Sequence, residues 1–461
     1  MLILTCRPVY LRGVSRLRIP ATIAHPVRLL PIAFLALIGV GTISLLMPFA
    51  REGHDAPDFM AAFFTSASAV TVTGLATVDT GTYWSVPGQV IILVLVQIGG
   101  LGIVALATLL GLFVGGRLGI RTRLVAQADM HVVNIGEVKP LFRRVALTMV
   151  FFETVTAVVL TFRYRGSYFG DWGTSLWHGV FDAVMAFNNA GFSLNHDSLT
   201  AYAGDWLVLL PISAAVFFGA IGFPVLAELF QGWRTPSRWT VHTRLTVWGS
   251  IILTVLGALV FLFLEWHNDA TLAGLPFWDR LVTGVEGSLM PRSGGLNSFD
   301  WGEARPETLD MGIVLMFIGG GSASTAGGIK ITTFLLLFYV ILAELRGDPE
   351  VTVGVRSIGP RVIRTAITIA LLAVMLVTTT TFVVMLLTDF GFEESLFECA
   401  SAFGTVGLST GLTPDLPPAA QVVIIVLMFL GRVGTITAAG AFILRRRAPR
   451  YHLPEEQPII G

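Results

Sequence analysis

The sequence predicts an all-α, polytopic membrane protein, and three observations predict this class. Of 461 residues, 54% are hydrophobic and only 13% are charged, fewer charges than the surface of a soluble protein of this size needs. Several apolar runs reach the roughly 20 residues that cross a bilayer. Shorter apolar runs, each followed by a small polar turn and a glycine, alternate with the long ones.

Eight apolar runs are candidate transmembrane spans. They cover residues 29–49, 86–114, 145–162, 206–227, 245–264, 311–343, 365–388 and 416–444. The first run is too long for the apolar core of a signal peptide, so we expect it to be retained as a helix. An even number of spans puts both termini on one side of the membrane. The two cysteines, Cys6 and Cys399, suggest neither a disulfide framework nor a metal motif.

The distribution of charge predicts the orientation. The segments on the side of the termini carry 22 of the 30 Lys and Arg residues, and the positive-inside rule therefore places that side in the cytoplasm. The opposite side carries 21 of the 30 acidic residues against six basic ones. An acidic vestibule of this kind concentrates cations at its entrance, although ordinary solvated loops account for part of the excess.

One short motif recurs four times, each time between an odd and an even span. Its copies are DFMAAFFTSASAVTVTGL at 58–75, FDAVMAFNNAGF at 181–192, LVTGVEGSLMPRSGGL at 281–296 and LFECASAFGTVGL at 396–408. The glycines that end the copies are Gly74, Gly191, Gly295 and Gly407, separated by 117, 104 and 112 residues. Each unit is therefore a span, a short helix, a glycine turn and a second span.

The physical chemistry of the motif fits an ion pathway. An apolar run of about 10–14 residues is too short to cross a bilayer and suits a re-entrant helix. Irregular backbone at membrane depth is tolerated only where protein or a watery cavity surrounds it. Four such turns around an axis would form a ring of carbonyls that replaces the hydration shell of a monovalent cation, with the negative ends of the short helices aimed at it. Close helix packing would explain one such glycine, but hardly four at matching places.

The four units resemble the M1–P–M2 (helix–pore helix–helix) repeats of the Trk/Ktr/HKT superfamily of potassium transporters. The resemblance covers about residues 27–446 and is closest to the pore subunits of bacterial Ktr systems, on the segments SAVTVTGL, FNNAGFS and FGTVGLSTG. It implies eight transmembrane helices, with four repeats in a pseudo-fourfold arrangement around one pore. The implied segments are a cytoplasmic N-terminus, repeats one to four and a cytoplasmic tail, at 1–28, 29–114, 139–231, 240–345, 360–446 and 447–461.

The resemblance also implies a selectivity filter of backbone carbonyls. The implied filter residues are Thr71, Val72, Thr73, Gly74, Asn188, Asn189, Ala190, Gly191, Arg292, Ser293, Gly294, Gly295, Gly404, Thr405, Val406 and Gly407. Potassium is expected at five of them: Thr73, Gly74, Gly191, Gly295 and Gly407. In plant relatives a serine at the first filter glycine accompanies sodium transport, so glycine at all four positions favours potassium.

The third repeat departs most from the family pattern, because it reads PRSGGLNS. Arg292 is expected either to brace the filter from behind or to repel cations at its mouth. Glu286 and Glu398 lie within apolar stretches, where a buried carboxylate needs a partner; exposure to the outer vestibule is the alternative for Glu286. Glu153, in the third span, is expected to pair with polar groups of a neighbouring helix, and no role is assigned to it.

The sixth span is expected to be broken. Residues 319–328 contain five glycines and no side chain larger than threonine, and each interior glycine costs a helix about 1 kcal/mol relative to alanine. We therefore expect two half-helices joined by a loop at membrane depth. The resemblance implies that this loop is a gate, which obstructs conduction until a regulator acts. The gate residues are Gly319, Gly320, Gly321, Ser322, Ala323, Ser324, Thr325, Ala326, Gly327, Gly328, Lys330 and Arg432.

The same segment has a competing interpretation as a phosphate-binding loop. Its sequence GGGSASTAGGIKITT superficially matches one, but Ile329 separates Gly328 from Lys330 and the Walker spacing is missing. Lys330 and Arg432 are full charges within spans, and such charges are functional candidates by default. The resemblance places Arg432 near the gate, as a donor to loop carbonyls or as a positive barrier. Snorkelling to the inner interface is the alternative for both charges.

The implied activity is downhill potassium uptake across the bacterial cytoplasmic membrane by a protein that is not an enzyme. K⁺ is the transported ion, Na⁺ is a candidate activator, and nucleotide would bind only to a partner, since no Gly-x-Gly-x-x-Gly turn is present in the cytoplasmic loops. The implied partners are a second copy in a homodimer and a cytoplasmic ring of RCK-type, KtrA-like subunits. The basic segments 115–124 and 445–461 are candidate docking surfaces, or simply follow the positive-inside rule and contact anionic lipid. Nucleic acid is not an expected partner.

Two alternatives belong to other functional classes. The first is a sodium-conducting or sodium-coupled transporter on the same scaffold, which a serine at a filter glycine would have favoured. The second is an intramembrane enzyme. The sequence contains no His-Glu-x-x-His motif, which argues against the enzyme.

Overall fold

The computed structural model describes residues 26–53, 58–102, 138–354 and 356–434. Helices dominate these ranges, and the predicted all-α character is confirmed. The exception among the described residues is a hairpin of two short strands, β1 (Thr352–Val353) and β2 (Arg356–Ser357). The predicted docking segments 115–124 and 445–461, and most of the N-terminal segment 1–28, lie outside the described residues.

The described residues form α-helices of very different lengths. In chain order they are α1 (Pro26–Leu45), α2 (Phe59–Thr71), α3 (Thr80–Tyr83), α4 (Val86–Gly100), α5 (Val138–Ser167), α6 (Trp172–Asn188), α7 (Trp206–Ile221), α8 (Phe223–Gly232), α9 (Val241–Glu265), α10 (Phe277–Leu289), α11 (Pro306–Phe317), α12 (Ile331–Arg346), α13 (Pro360–Leu387), α14 (Phe392–Gly404) and α15 (Pro418–Phe429). A five-residue π-helical turn, Leu430–Gly434, follows α15 directly. Within the described ranges α5, α9 and α13 are each long and apolar enough to cross a membrane, and α7 with α8 forms a bent pair that meets the same test.

Four helices, α2, α6, α10 and α14, lie at the four copies of the predicted motif, and we call them the pore helices. Side-chain caps fix where three of them begin. Asp58 accepts from the backbone N–H of Ala61 at 3.1 Å, and Asp171 accepts from that of Thr174 at 2.9 Å. These caps satisfy amides that the first turn of a helix leaves unpaired. In α14 the carboxylate of Glu394 accepts instead from the N–H of Gly391, at 3.1 Å.

The helix contacts form a closed sequence around the pore helices. Each pore helix packs against the helix that precedes it in the chain, in the pairs α1–α2, α5–α6, α9–α10 and α13–α14. The helix that follows each pore helix also packs against the next pore helix, in the pairs α4–α6, α7–α10, α11–α14 and α15–α2. The last pair returns to the first pore helix, so the contacts between the four units close on themselves.

The candidate span 206–227 is bent by 103° between α7 and α8. The bend lies at Gly222, whose φ of +102° is a conformation that side chains with a Cβ rarely adopt. Pro224 occupies the first turn of α8, where the missing N–H costs nothing. The sixth span is also interrupted, since α11 ends at Phe317 and α12 begins at Ile331.

Candidate ion pathway

The structure brings the four motif glycines into mutual contact, although 333 residues separate the first from the last. A Cβ built on Gly74 would lie 2.2 Å from the carbonyl oxygen of Ala190, and one on Gly191 would lie 3.2 Å from Cα of Gly295. A Cβ on Gly295 would lie 1.9 Å from the carbonyl oxygen of Val406, and one on Gly407 would lie 2.3 Å from that of Thr73. Each turn therefore touches the next in cyclic order, and at Gly74, Gly295 and Gly407 the separation leaves no room for a side chain.

The four turns share one backbone conformation. The residue two positions before each glycine has a positive φ, and so does the glycine itself. The φ values are 58° and 95° at Val72 and Gly74, 60° and 66° at Asn189 and Gly191, 80° and 73° at Ser293 and Gly295, and 48° and 98° at Thr405 and Gly407. A positive φ is strained for β-branched residues such as Val72 and Thr405, and strain of this kind persists only where the surroundings impose it.

The backbone amides of the turns point back to their own pore helices. Thr73 N–H donates to Ser68 O at 2.8 Å, and Ala190 N–H donates to Met185 O at 3.0 Å. In the first and fourth turns a serine hydroxyl adds support, because Gly74 N–H donates to Ser68 Oγ at 3.0 Å. The fourth turn repeats this, with Gly407 N–H and Ser401 Oγ 3.1 Å apart. Sequence reasoning missed both serines, although each lies six residues before its glycine.

Arg292 lies behind the third turn and not at its mouth. Its side chain is buried, and Nη1 donates to Ser250 O at 3.0 Å and to Thr254 Oγ1 at 2.9 Å, both on α9. The neighbouring Ser293 donates to the carbonyl oxygen of Thr405 at 3.1 Å, in the fourth turn. The third turn is therefore held by side-chain hydrogen bonds to α9 and to the fourth turn.

The helix-free segment between α11 and α12 lies directly against the turns. Its two ends pair with each other, as Gly319 N–H donates to Ile329 O at 2.9 Å. Gly327 N–H donates to Ser293 Oγ at 3.3 Å, and a Cβ on Gly327 would lie 2.0 Å from Oγ1 of Thr405. Thr325 donates from its hydroxyl to Oδ1 of Asn189 at 2.8 Å. We call residues 318–330 the intramembrane loop.

The bend between α7 and α8 packs against the same loop and forms backbone hydrogen bonds with it. Gly321 N–H donates to Ala220 O at 2.7 Å, and Phe223 N–H donates to Ala323 O at 3.2 Å. A Cβ on Gly222 would lie 2.5 Å from the carbonyl oxygen of Ser322. The bend is thus part of the loop's binding site, which the sequence did not predict because a proline and glycine pair is compatible with either a kink or a turn.

The two charged side chains within spans, Lys330 and Arg432, both donate hydrogen bonds to backbone carbonyls of the intramembrane loop. Arg432, in the π-helical turn, is only 6% exposed; it donates from Nη1 to the carbonyl oxygen of Thr325 and from Nη2 to that of Gly99 at 3.1 Å. Lys330 donates to Ala326 O at 2.6 Å. Arg432 therefore ties the loop to α4, and its burial is inconsistent with snorkelling.

Glu153 has the polar partners that the sequence led us to expect. Its carboxylate accepts from Gln97 Nε2 at 3.0 Å and from Asn188 Nδ2 at 3.1 Å. Asn188 also donates to Gln97 Oε1 at 3.0 Å. This buried cluster joins α4, α5 and the end of α6 directly behind the second turn.

An ion pair joins the segments that follow the first and second turns. His196 Nδ1 lies 2.8 Å from Oδ2 of Asp79. The hydrogen bond with Asp79 and the negative charge of Asp197 raise the pKa of His196. Burial alone would raise the pKa of Asp79, but the hydrogen bonds from His196 and Thr82 outweigh it, so that pKa is lowered.

Comparison with known proteins gives a consistent assignment. The family model described as TrkH, cation transport protein, matches residues 14–450. The Ktr system potassium uptake protein B of Bacillus subtilis is 38% identical over 417 residues, which cover 90% of this chain and 93% of that protein. The protein of the same name from Vibrio alginolyticus is 31% identical, with 94% of both chains covered. The potassium/sodium uptake protein NtpJ of Enterococcus hirae is 32% identical, with 95% of this chain and 97% of that protein covered.

A solved structure has the same fold. The crystal structure of the potassium transporter TrkH from Vibrio parahaemolyticus aligns with a TM-score of 0.69 over 94% of this chain and 87% of that one, at 19% sequence identity. The family model and the relatives above 30% identity agree with it, and the chain therefore belongs to the TrkH family of cation transport proteins.

Proposed function

We propose that this protein mediates potassium uptake across the bacterial cytoplasmic membrane, with four M1–P–M2 repeats arranged pseudo-fourfold around one pore and both termini in the cytoplasm. The observation that carries the proposal is the cyclic contact of four turns with one shared backbone conformation, at Gly74, Gly191, Gly295 and Gly407. Backbone carbonyls can replace the hydration shell of K⁺ without any charged ligand. The printed names of the Bacillus and Vibrio relatives, potassium uptake proteins, support the choice of ion.

The intramembrane loop is the proposed gate. It contacts the second turn through Thr325 and the third and fourth turns through Gly327, and Arg432 holds it in that position. Conduction along the axis of the turns would require the loop to move. Its residues are small enough to move without repacking of large side chains.

Two partners complete the proposal. A second copy of the chain would form a homodimer, and a cytoplasmic nucleotide-binding ring of RCK type would bias the loop between its closed and open positions. The words "Ktr system" in the names of the relatives support a system of more than one component. Transport would need no hydrolysis by this chain, because one charge crossing 100 mV gains about 2.3 kcal/mol.

The experiment that tests the proposal is rubidium-86 uptake into a potassium-uptake-deficient bacterial strain that expresses this chain, alone and with its nucleotide-binding partner. Uptake that saturates and that potassium competes for supports the potassium pore. The Gly74→Ser variant should lose discrimination against sodium, because its new side chain would enter a space that the Ala190 carbonyl fills. A variant as selective as the wild type would contradict the filter assignment.

The second candidate is a sodium-conducting or sodium-coupled transporter on the same scaffold. The specific observation in its favour is the potassium/sodium uptake protein of Enterococcus hirae, 32% identical over nearly the whole chain. In the same assay, sodium-22 uptake that potassium does not suppress would favour this candidate. Sodium that accelerates rubidium uptake without entering would make Na⁺ an activator.

A further inference from the structure

A buried polar residue occupies the same place in every pore helix. The residue nine positions before each filter glycine is Thr65 in α2, Asp182 in α6, Glu286 in α10 and Glu398 in α14. Each is at most 1% exposed. Three of the four are carboxylic acids in otherwise apolar helices, where a carboxyl group is costly to bury. The burial of Glu286 contradicts the alternative of exposure to the outer vestibule and agrees with the expectation of a buried carboxyl group.

The carboxylate of Glu398 binds the chain that leaves the fourth turn. Its Oε1 accepts from Ser409 Oγ at 2.5 Å and from Thr410 N–H at 3.1 Å. Its Oε2 accepts from Thr413 Oγ1 at 2.7 Å. One side chain thus binds three donors of the segment that follows Gly407.

The third repeat shows the same kind of contact with fewer hydrogen bonds. Glu286 Oε2 accepts from Ser298 Oγ at 2.5 Å, and Ser298 lies three residues after Gly295. In the second repeat the acid binds elsewhere, since Asp182 accepts from the hydroxyl of Tyr164 on α5 at 2.7 Å. In the first repeat Thr65 replaces the acid, and its hydroxyl has no hydrogen-bond partner among the described residues. The third and fourth turns are therefore tethered on their outer side, and the first two are not tethered in this way.

Glu286 and Glu398 bind hydroxyl and backbone amide donors of the segments that follow their turns. Hydrogen bonds of this kind are short and directional when the acceptor is a carboxylate. Because these donors are uncharged, they fix the position of the outer segment without adding charge to it.

From this arrangement we propose that Glu286 and Glu398 are positioning residues for ion selectivity, which act through the outer segments they tether. A turn can distinguish K⁺ from Na⁺ only if its carbonyls cannot close around the smaller ion, and a chain fixed at both ends of the turn resists that movement. The pore helix fixes the inner end through its backbone, as in the Val406 N–H to Ser401 O bond of 2.9 Å. The acid fixes the outer end. This inference rests on the proposed function.

The test compares variants at the fourth repeat in rubidium-86 uptake, with the sodium concentration that halves uptake as the readout of selectivity. Glu398→Ala and Thr413→Val should each lower that concentration by about tenfold, the size expected for losing a hydrogen bond to a charged group. The double variant should be no less selective than Glu398→Ala, because both changes break one tether. Glu398→Gln keeps an acceptor and should restore part of the selectivity.

Asp415→Asn is the matched control for charge. Asp415 is exposed in the same outer segment and lies only two residues beyond Thr413, so its loss changes the charge of the vestibule and spares the tether. It should leave the selectivity unchanged. Equal losses in Asp415→Asn and Glu398→Ala would overturn the tether in favour of a charge effect.

Other outcomes separate this inference from the proposed function. Wild-type protein that takes up no rubidium in competition with potassium would overturn both. A selective wild type with selective Glu398→Ala and Thr413→Val variants would overturn the tether alone, as would additive losses in the double variant. If Glu398→Ala fails to reach the membrane, the near-isosteric Thr413→Val variant decides alone: wild-type selectivity in it overturns the tether.

Discussion

The hydroxyl of Thr325, in the intramembrane loop, donates a hydrogen bond of 2.8 Å to the side-chain oxygen of Asn189, in the second turn. The two residues are 136 positions apart in the chain. The same hydroxyl lies 3.3 Å from the carbonyl oxygen of Phe187. The proposed gate and the proposed filter thus share a direct contact, and movement of one must break a bond to the other.

Replacing Thr325 by valine should loosen the loop. Valine has nearly the same shape and lacks the donor, so Asn189 Oδ1 loses its bond and the loop loses roughly 1 kcal/mol of stabilisation in its observed position. We expect faster rubidium uptake in cells that lack the nucleotide-binding partner. Thr325→Ser keeps the hydroxyl and should behave as the wild type; equal uptake by both variants would show that the hydroxyl does not hold the gate.

Replacing Arg432 should separate its two proposed roles. Arg432→Ala removes both the donors to Thr325 and Gly99 and the positive charge, so uptake without the partner should rise. Arg432→Lys keeps the charge but cannot reproduce the planar pair of donors. If the hydrogen bonds hold the loop, lysine should also raise uptake. If the charge is an electrostatic barrier, only alanine should.

Replacing Gly222 should destabilise the bend that cradles the loop. Alanine would have to adopt a φ near +102°, and its Cβ would lie 2.5 Å from the carbonyl oxygen of Ser322. Unfavourable backbone conformations of this kind cost about 1–3 kcal/mol. We expect a lower thermal unfolding midpoint for the purified protein in detergent. Gly166→Ala is the control, because a Cβ there would meet nothing within 4 Å; an equal loss in both variants would contradict the prediction.

Removing the hydroxyl of Ser68 should weaken the first turn selectively. Gly74 N–H loses its acceptor in Ser68→Ala, and leaving a buried donor unpaired costs about 1–3 kcal/mol. Sodium should therefore inhibit rubidium uptake at lower concentrations, and Ser401→Ala should act in the same way on Gly407. The half-buried Ser44, whose hydroxyl donates to Val40 O of its own helix, provides the control substitution Ser44→Ala.

The Asp79–His196 pair predicts a pH dependence at the outer side. The pKa of His196 is raised, so the stabilisation from the pair is complete below the ordinary histidine pKa of about 6.5 and disappears as the pH rises through the raised value. The pKa of Asp79 is lowered, so acid removes the contribution only below the ordinary range of a carboxyl group. The effect is small, under about 1 kcal/mol, because His196 is highly exposed.

The measurement for this prediction is the thermal unfolding midpoint as a function of pH. Between pH 6 and 9 the midpoint of the wild type should fall by more than that of His196→Gln, whose side chain does not titrate. Asp197→Asn is the matched variant, since Asp197 lies 3.8 Å from the same imidazole. Parallel curves for wild type and His196→Gln would contradict a contribution from the pair.

Several features of the fold and the candidate site could be predicted from local pattern. The helix-free segment before Ile331 has five glycines in ten residues, a composition that disfavours a helix in any surroundings. The short pore helices follow from their apolar length. The polar partners of Glu153 followed from the cost of an unpaired carboxylate within a span, but not the identity of Gln97 and Asn188.

Other features depend on contacts between distant residues. Arg292 could have faced the mouth of the pore or its wall, and only the position of α9 decided for the wall. The composition of the sequence around Gly222 is nearly as compatible with a straight helix as with a bend. The bend is stabilised by backbone hydrogen bonds to residues 321 and 323 of the intramembrane loop. Glu286 and Glu398 have the same spacing from their glycines in the sequence, yet their burial became clear only with the outer segments in place.

The sequence by itself determined the membrane class, the number of glycine motifs and the position of the helix break, because these follow from hydropathy and backbone preferences within a window of a few turns. Only the tertiary structure decided that the four turns contact one another, that Thr325 contacts Asn189, and that the acids of α10 and α14 tether the outer segments. The physical reason is that such contacts join residues that are distant along the chain or separated by a reversal of its direction. Their geometry is fixed by the packing of whole helices and not by the preferences of any one segment.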